Sequence, residues 1–229
     1  GVTYVTASAG NHGLSVAAGA RIFGARAVVY IAETVPEGFA DRLRARGADV
    51  MRAGVDYEAS MAAAQAAAEA NGWRLLSDSS WPGYMVRPWR LMEGYLALME
   101  EVFAQMPAPP THVFLQAGVG GMAAAVAAHL ALAGLGIRLV VVEPDGAACL
   151  LESVRAGQRL QLAGHAPTVM ALLECREPSA TGWRILSRLA RDFMAVPDTA
   201  ARAAVNRLAR PVAGDPALVV GESGAAGLA

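Results

Sequence analysis

Three stretches of the sequence place polar or glycine-rich residues where chemistry needs them. Ser8-Ala9-Gly10-Asn11-His12-Gly13 joins a β-branched run to a helical pattern. A small, glycine-flanked turn lets backbone approach a ligand closely, and the helix start behind it offers free N–H groups at the positive end of a dipole. The same residues also make an ordinary Ser-capped turn. Gln116-Ala117-Gly118-Val119-Gly120-Gly121-Met122 repeats the arrangement ahead of an Ala-rich helical stretch. Consecutive amides from Gly118 to Met122 can nest around a phosphate without a cationic side chain, or serve only as a tight structural turn. This is not a dinucleotide fingerprint, because the third glycine is misplaced and no acidic residue follows at the required spacing. Ser77-Asp78-Ser79-Ser80-Trp81-Pro82-Gly83-Tyr84 holds one carboxylate among hydroxyls and aromatics. An Asp at the carboxyl end of a parallel strand can act as a base in a partly dry pocket, and can equally cap a turn.

Other reactive residue types lack company. His112, His129 and His165 are isolated, and His12, inside the first loop, reads as a packing or capping residue. Cys149 and Cys175 have no CxxC spacing and read as buried free thiols, so neither a disulfide framework nor a metal site is expected. Nothing has the spacing of a Ser-His-Asp triad, and the four tryptophans read as packing anchors.

The elements around these stretches alternate short β-branched runs with longer helical ones, the pattern of a parallel α/β sheet covered by helices. Strands are predicted over residues 3–6, 27–31, 49–52, 73–76, 113–116 and 139–142. Helices are predicted over 13–24, 37–46, 57–70, 89–105, 122–133 and 147–155. The polar stretch after residue 76 interrupts the alternation, giving two predicted domains, 1–76 and 77–229. The chain begins directly on a strand and stops within a helix-like pattern, so it is expected to be an interior part of a longer α/β protein.

A net charge of −1 with scattered arginines presents no basic face for nucleic acid, which leaves small-molecule chemistry as the expectation. Apolar runs are broken by charge before the roughly 20 residues a membrane span needs, and no signal-like segment opens the chain; a cytosolic location is expected. All 19 basic residues counted as Lys or Arg are arginine. Average usage would supply about a dozen lysines in a chain this long.

The wording of these stretches is more specific than their chemistry. The Ser8–Gly13 loop and the glycine loop resemble those of fold type II pyridoxal-phosphate (PLP) enzymes, the tryptophan-synthase-β superfamily. The segment from Trp81 to Tyr95, Thr168-Val169-Met170 with Glu177-Pro178-Ser179, and Gly221-Glu222-Ser223-Gly224-Ala225 resemble, in order and spacing, the diaminopropionate ammonia-lyases rather than the threonine dehydratases. The resemblance covers essentially the whole chain.

It implies two α/β domains and PLP as cofactor, with Asn11 beside the pyridine ring and its hydroxyl. Gly118, Val119, Gly120, Gly121 and Met122 would surround the phosphate, Asp78 would remove the α-proton of an L-amino-acid substrate, and Glu222 would lie near ring and substrate. The implied reaction is α,β-elimination of 2,3-diaminopropionate to pyruvate and ammonia by a homodimer. A serine or threonine dehydratase of the same fold, or a silent module binding a phosphate-bearing ligand, are the alternatives. Three departures stand out: Ala9 replaces the aspartate that serves the D-isomer in that family, Pro82 stands where Glu is usual, and Ala171-Leu172-Leu173-Glu174 replaces a glycine-rich step. The Schiff-base lysine is expected before residue 1, and the partner of the pyridine nitrogen beyond residue 229.

Overall fold

The computed structural model describes residues 1–164, 167–212 and 214–229, so His165 lies outside the described residues. Two compact units divide the chain, Gly1–Asp78 and Ser79–Ala229. Each is built on a wholly parallel sheet, as the alternating sequence demands.

In the first unit the order is β1 (Thr3–Ala7), α1 (Asn11–Ile22), β2 (Arg26–Ile31), α2 (Glu37–Ala45), β3 (Ala48–Arg52), α3 (Tyr57–Asn71) and β4 (Arg74–Leu75). The sheet order is β3-β2-β1-β4. The chain thus steps outward from β1 to β3 and then returns past it to add β4 on the other side. Right-handed crossovers require α3 to lie on the face opposite α1 and α2, which makes the gap between β1 and β4 a topological switch point. The core is Val16, Ala17 and Ala20 of α1 against Ala27, Val29 and Ile31 of β2, closed by Ala40, Leu43 and Ala48. α3 is set by two local signals: Asp56 accepts the Ala59 N–H at 2.8 Å, and Gly72 ends the helix in the left-handed region at φ 64°.

The second unit opens with α4 (Val86–Gly94) and α5 (Leu96–Gln105). The single helix expected over 89–105 therefore starts earlier and is broken. Pro88 falls in the first turn of α4, where its missing N–H costs nothing. At Gly94-Tyr95 the ladder tightens, Tyr95 N–H donating to the Met92 carbonyl three residues back at 3.1 Å. β5 (His112–Gln116), α6 (Gly121–Ala133), β6 (Arg138–Pro144), α7 (Cys149–Ala156), α8 (Ala180–Leu189), β7 (Asp192–Val196), α9 (Asp198–Ala209) and α10 (Glu222–Ala225) follow. The sheet order is β5-β6-β7. β6 is covered on both faces: Leu139 and Val141 join a core with α5, α6 and α8, while Val140 and Val142 join Met170, Val196, Ala201 and Ala226. Among the described residues, no helix is long and apolar enough to cross a membrane.

β6 ends on a buried acid. Glu143 is fully buried, and its two carboxylate oxygens accept the N–H groups of Leu150 and Leu151, each at 2.8 Å, in the first turn of α7. Burial pushes its pKa up to about 7 against the pull of those two amides. With the folded value above the ordinary 4.5, the folded chain keeps a proton the unfolded chain has lost. Stability from this group is complete below pH 4.5 and is lost as pH rises to about 7, by on the order of 3 kcal/mol. Chemical denaturation across that window should show Glu143→Gln gaining on the wild type as pH rises; a stability difference independent of pH rejects this.

Candidate cofactor site

In the first unit, two of the expected residues lie at the switch point. Asn11 is the first residue of α1, directly after the loop leaving β1, and is exposed. Asp78 is partly exposed in the bend after β4, the parallel neighbour of β1. The carboxyl ends of two such strands form the crevice where open parallel sheets take ligands. α1 has no side-chain cap, so its leading amides keep donor capacity.

Close packing fixes the loop. A Cβ on Gly13 would stand 2.1 Å from the Ser8 carbonyl oxygen, so only glycine allows the helix to start this near the strand end. His12 ties the loop to the strand leading to Asp78. Its Nε2 lies 2.8 Å from the Leu76 carbonyl and 3.1 Å from Thr6 Oγ1. A carbonyl only accepts, so Nε2 carries the proton and donates. The structural role expected of His12 is thus a bond across adjacent strands that fixes the backbone two residues before Asp78.

In the second unit, Gly118, Val119 and Gly120 form the loop between β5 and α6, and Gly121 and Met122 begin the helix. Gly120 sits at φ 89°, in the left-handed region, as the uncapped N-terminal neighbour of a 13-residue helix. That combination leaves the leading amides of α6 without a side-chain cap at the positive end of a helix dipole. The donor set is neutral, short and backbone-made, and fits a phosphate dianion without an arginine or lysine.

The loop is braced from behind. A Cβ on Gly118 would approach Cys175 Sγ to 2.8 Å, and the Cys149 thiol donates to the Gly118 carbonyl at 3.8 Å. Burial pushes the Cys149 thiol far up, so it stays neutral there. Cys149 is buried as expected, whereas Cys175 is only partly so. Ser179 N–H donates to the Val119 carbonyl at 2.9 Å. Gly182 of α8 lies so close that a Cβ there would stand 3.2 Å from the Gly120 carbonyl.

Glu222 is the first residue of α10, and its neighbour Ser223 accepts the Leu172 N–H at 3.2 Å. The Ala171–Leu173 turn, which departs from the glycine-rich pattern, is thereby the support of the segment carrying Glu222. Thr168 Oγ1 and Val169 N–H both donate to the Asp198 carboxylate, at 2.5 and 3.0 Å, which holds that carboxyl below its usual range. Sequence reasoning did not single out Gly182, Glu143 or the hydroxyls of Ser80, Ser179 and Thr181. Ser179 was visible only as the end of the Glu177-Pro178-Ser179 motif.

Known proteins resemble the chain over most of its length. The chain is 35% identical over 232 residues to the diaminopropionate ammonia-lyase of Escherichia coli K12, covering 99% of this chain and 58% of that protein. A crystal structure of the Escherichia coli diaminopropionate ammonia-lyase with an aminoacrylate–PLP azomethine reaction intermediate superposes with a TM-score of 0.92. It has 34% identity over 99% of this chain and 59% of that one. The biosynthetic L-threonine dehydratase of Burkholderia multivorans is 32% identical over 162 residues, 69% of this chain and 31% of that protein. The chain thus spans a little under three fifths of the length of the ammonia-lyases it matches. With residues 1–229 matching the pattern of the pyridoxal-phosphate dependent enzymes from end to end, the chain belongs to that family.

Proposed function

We propose that the protein is a diaminopropionate ammonia-lyase, eliminating the β-amino group of L-2,3-diaminopropionate to give pyruvate and ammonia. The observation that carries the reading is one of sequence: identity to the ammonia-lyase runs at 35% over 99% of the chain, whereas identity to the Burkholderia multivorans threonine dehydratase runs at 32% over 69%. PLP, when bound, supplies an electron-withdrawing ring that stabilises negative charge at the substrate Cα.

The chain's own residues do the rest. The amides of Gly118, Val119, Gly120, Gly121 and Met122 hold the phosphate at the start of α6. Asn11, at the start of α1, would hold the ring hydroxyl through its side-chain amide. Asp78 accepts the α-proton of the L-isomer, which requires its carboxylate within about 3 Å of that hydrogen's carbon neighbour. Glu222, leading α10, would lie near ring and substrate. Ala9 has no acid with which to take a proton from the opposite face, so the D-isomer is turned over poorly.

No lysine occurs among these 229 residues. On their own they therefore offer no side-chain amine for a covalent link to PLP, could at best hold it non-covalently, and are expected not to turn over substrate. A panel of L- and D-2,3-diaminopropionate, L-serine and L-threonine, scored by ammonia release from the full-length protein, tests the reading. L-2,3-diaminopropionate should lead, with the D-isomer slower by about a hundredfold or more for want of its base. Preference for L-threonine or L-serine would instead make it a dehydratase.

A further inference from the structure

The N-terminus of α8 is capped from outside the helix. Its flanking residue, Ser179, makes no side-chain capping bond. The first two amides of the helix go instead to Ser80: Ala180 N–H donates to the Ser80 carbonyl and Thr181 N–H to Ser80 Oγ, both at 2.8 Å. A serine hydroxyl has one proton to give and two lone pairs to fill. At Ser80 all three are used. Oγ donates to Thr181 Oγ1 at 2.9 Å, accepts the Thr181 N–H, and lies 2.7 Å from Ser179 Oγ, which must be the donor because the Ser80 proton is committed. Ser179 Oγ in turn accepts the Ser80 N–H at 3.1 Å. Ser80, Ser179 and Thr181 are all buried, at 2%, 0% and 1% exposure, so water cannot take over these bonds.

The helix capped in this way is what the glycine loop rests on. Ser179 N–H holds the Val119 carbonyl, Gly182 lies against the backbone of Val119 and Gly120, and Leu186 stands where a Cβ of Gly120 would be 3.0 Å away. We propose that Ser80 is a positioning residue: it fixes the start of α8, and through α8 the backbone of Val119 and Gly120 that receives the phosphate. The functional consequence rests on the reading of that loop as the phosphate cradle; the mechanical link rests on the hydrogen bonds alone.

The test compares Ser80→Ala and Ser80→Thr in the full-length protein with Val196→Ala, a core truncation in β7 that matches general destabilisation without touching α8. In folded Ser80→Ala, amide exchange at Val119, Gly120 and Gly121 should accelerate, and the PLP dissociation constant by equilibrium dialysis should rise, each by on the order of tenfold. Thr at position 80 should restore both, and Val196→Ala should move neither. Unchanged loop exchange in folded Ser80→Ala overturns the proposal. If that variant does not fold, Ser179→Ala, which removes one arm of the network, is read the same way and with the same power to overturn. Failure of the wild type to bind PLP sinks the cradle reading, while the exchange rates still decide whether Ser80 holds the loop.

Discussion

In the full-length protein, Asp78→Asn is expected to lower kcat for L-2,3-diaminopropionate by about a hundred- to ten-thousand-fold, with KM and PLP affinity little changed. Asn is nearly isosteric with Asp and keeps one acceptor oxygen, so the bend after β4 should survive; what it loses is the ability to take a proton. The residue is partly exposed, and its backbone is held on one side by the His12–Leu76 bond. The substitution therefore removes chemistry and leaves the fold. Steady-state ammonia release and the PLP absorbance, measured together, separate these two effects. Turnover within a few-fold of wild type would remove Asp78 from the proton-transfer role. A parallel loss of PLP would instead make it a binding residue.

Much of the architecture was legible because the physics is local. Ala-Val-Val-Tyr-Ile can hardly be anything but a buried strand, and Asp56 and Gly72 mark the ends of α3 by capping chemistry that needs no partner elsewhere. The glycine loops were legible for the same reason, since a left-handed residue at position 120 must be glycine. The rest depends on distant residues. β7, Asp192–Val196, is a short apolar run of four residues after Asp192 that is only partly buried over most of its length, and its place beside β6 was not read from so brief a signal. Glu143 resembles any surface acid until β6 carries it under α7. Ser80 looks like one more turn serine, and its bonds to Ser179 and Thr181 span 99 and 101 residues.

The same contrast between local and distant demands makes Gly13 a position where a single methyl group should tell. Gly13→Ala adds a single methyl group, yet the ideal position for that carbon is 2.1 Å from the Ser8 carbonyl oxygen and 3.2 Å from Leu43 Cδ2. The Leu43 methyl belongs to a side chain and can rotate; the Ser8 carbonyl is backbone and cannot. Either α1 shifts away from β1 or the Ser8–Gly10 turn rebuilds, and both break the packing of Val16, Ala17 and Ala20 against β2. Overpacking of this kind costs about 3 kcal/mol or more when no side chain can yield. A helix propensity argument predicts the opposite sign, because Ala within a helix is better than Gly by about 1 kcal/mol. The clash outweighs that gain. Denaturant unfolding should show the loss, and PLP affinity should fall in whatever fraction remains folded, because Asn11 moves with the start of α1. A variant as stable as the wild type would mean that the approach of α1 to Ser8 is looser than these distances state.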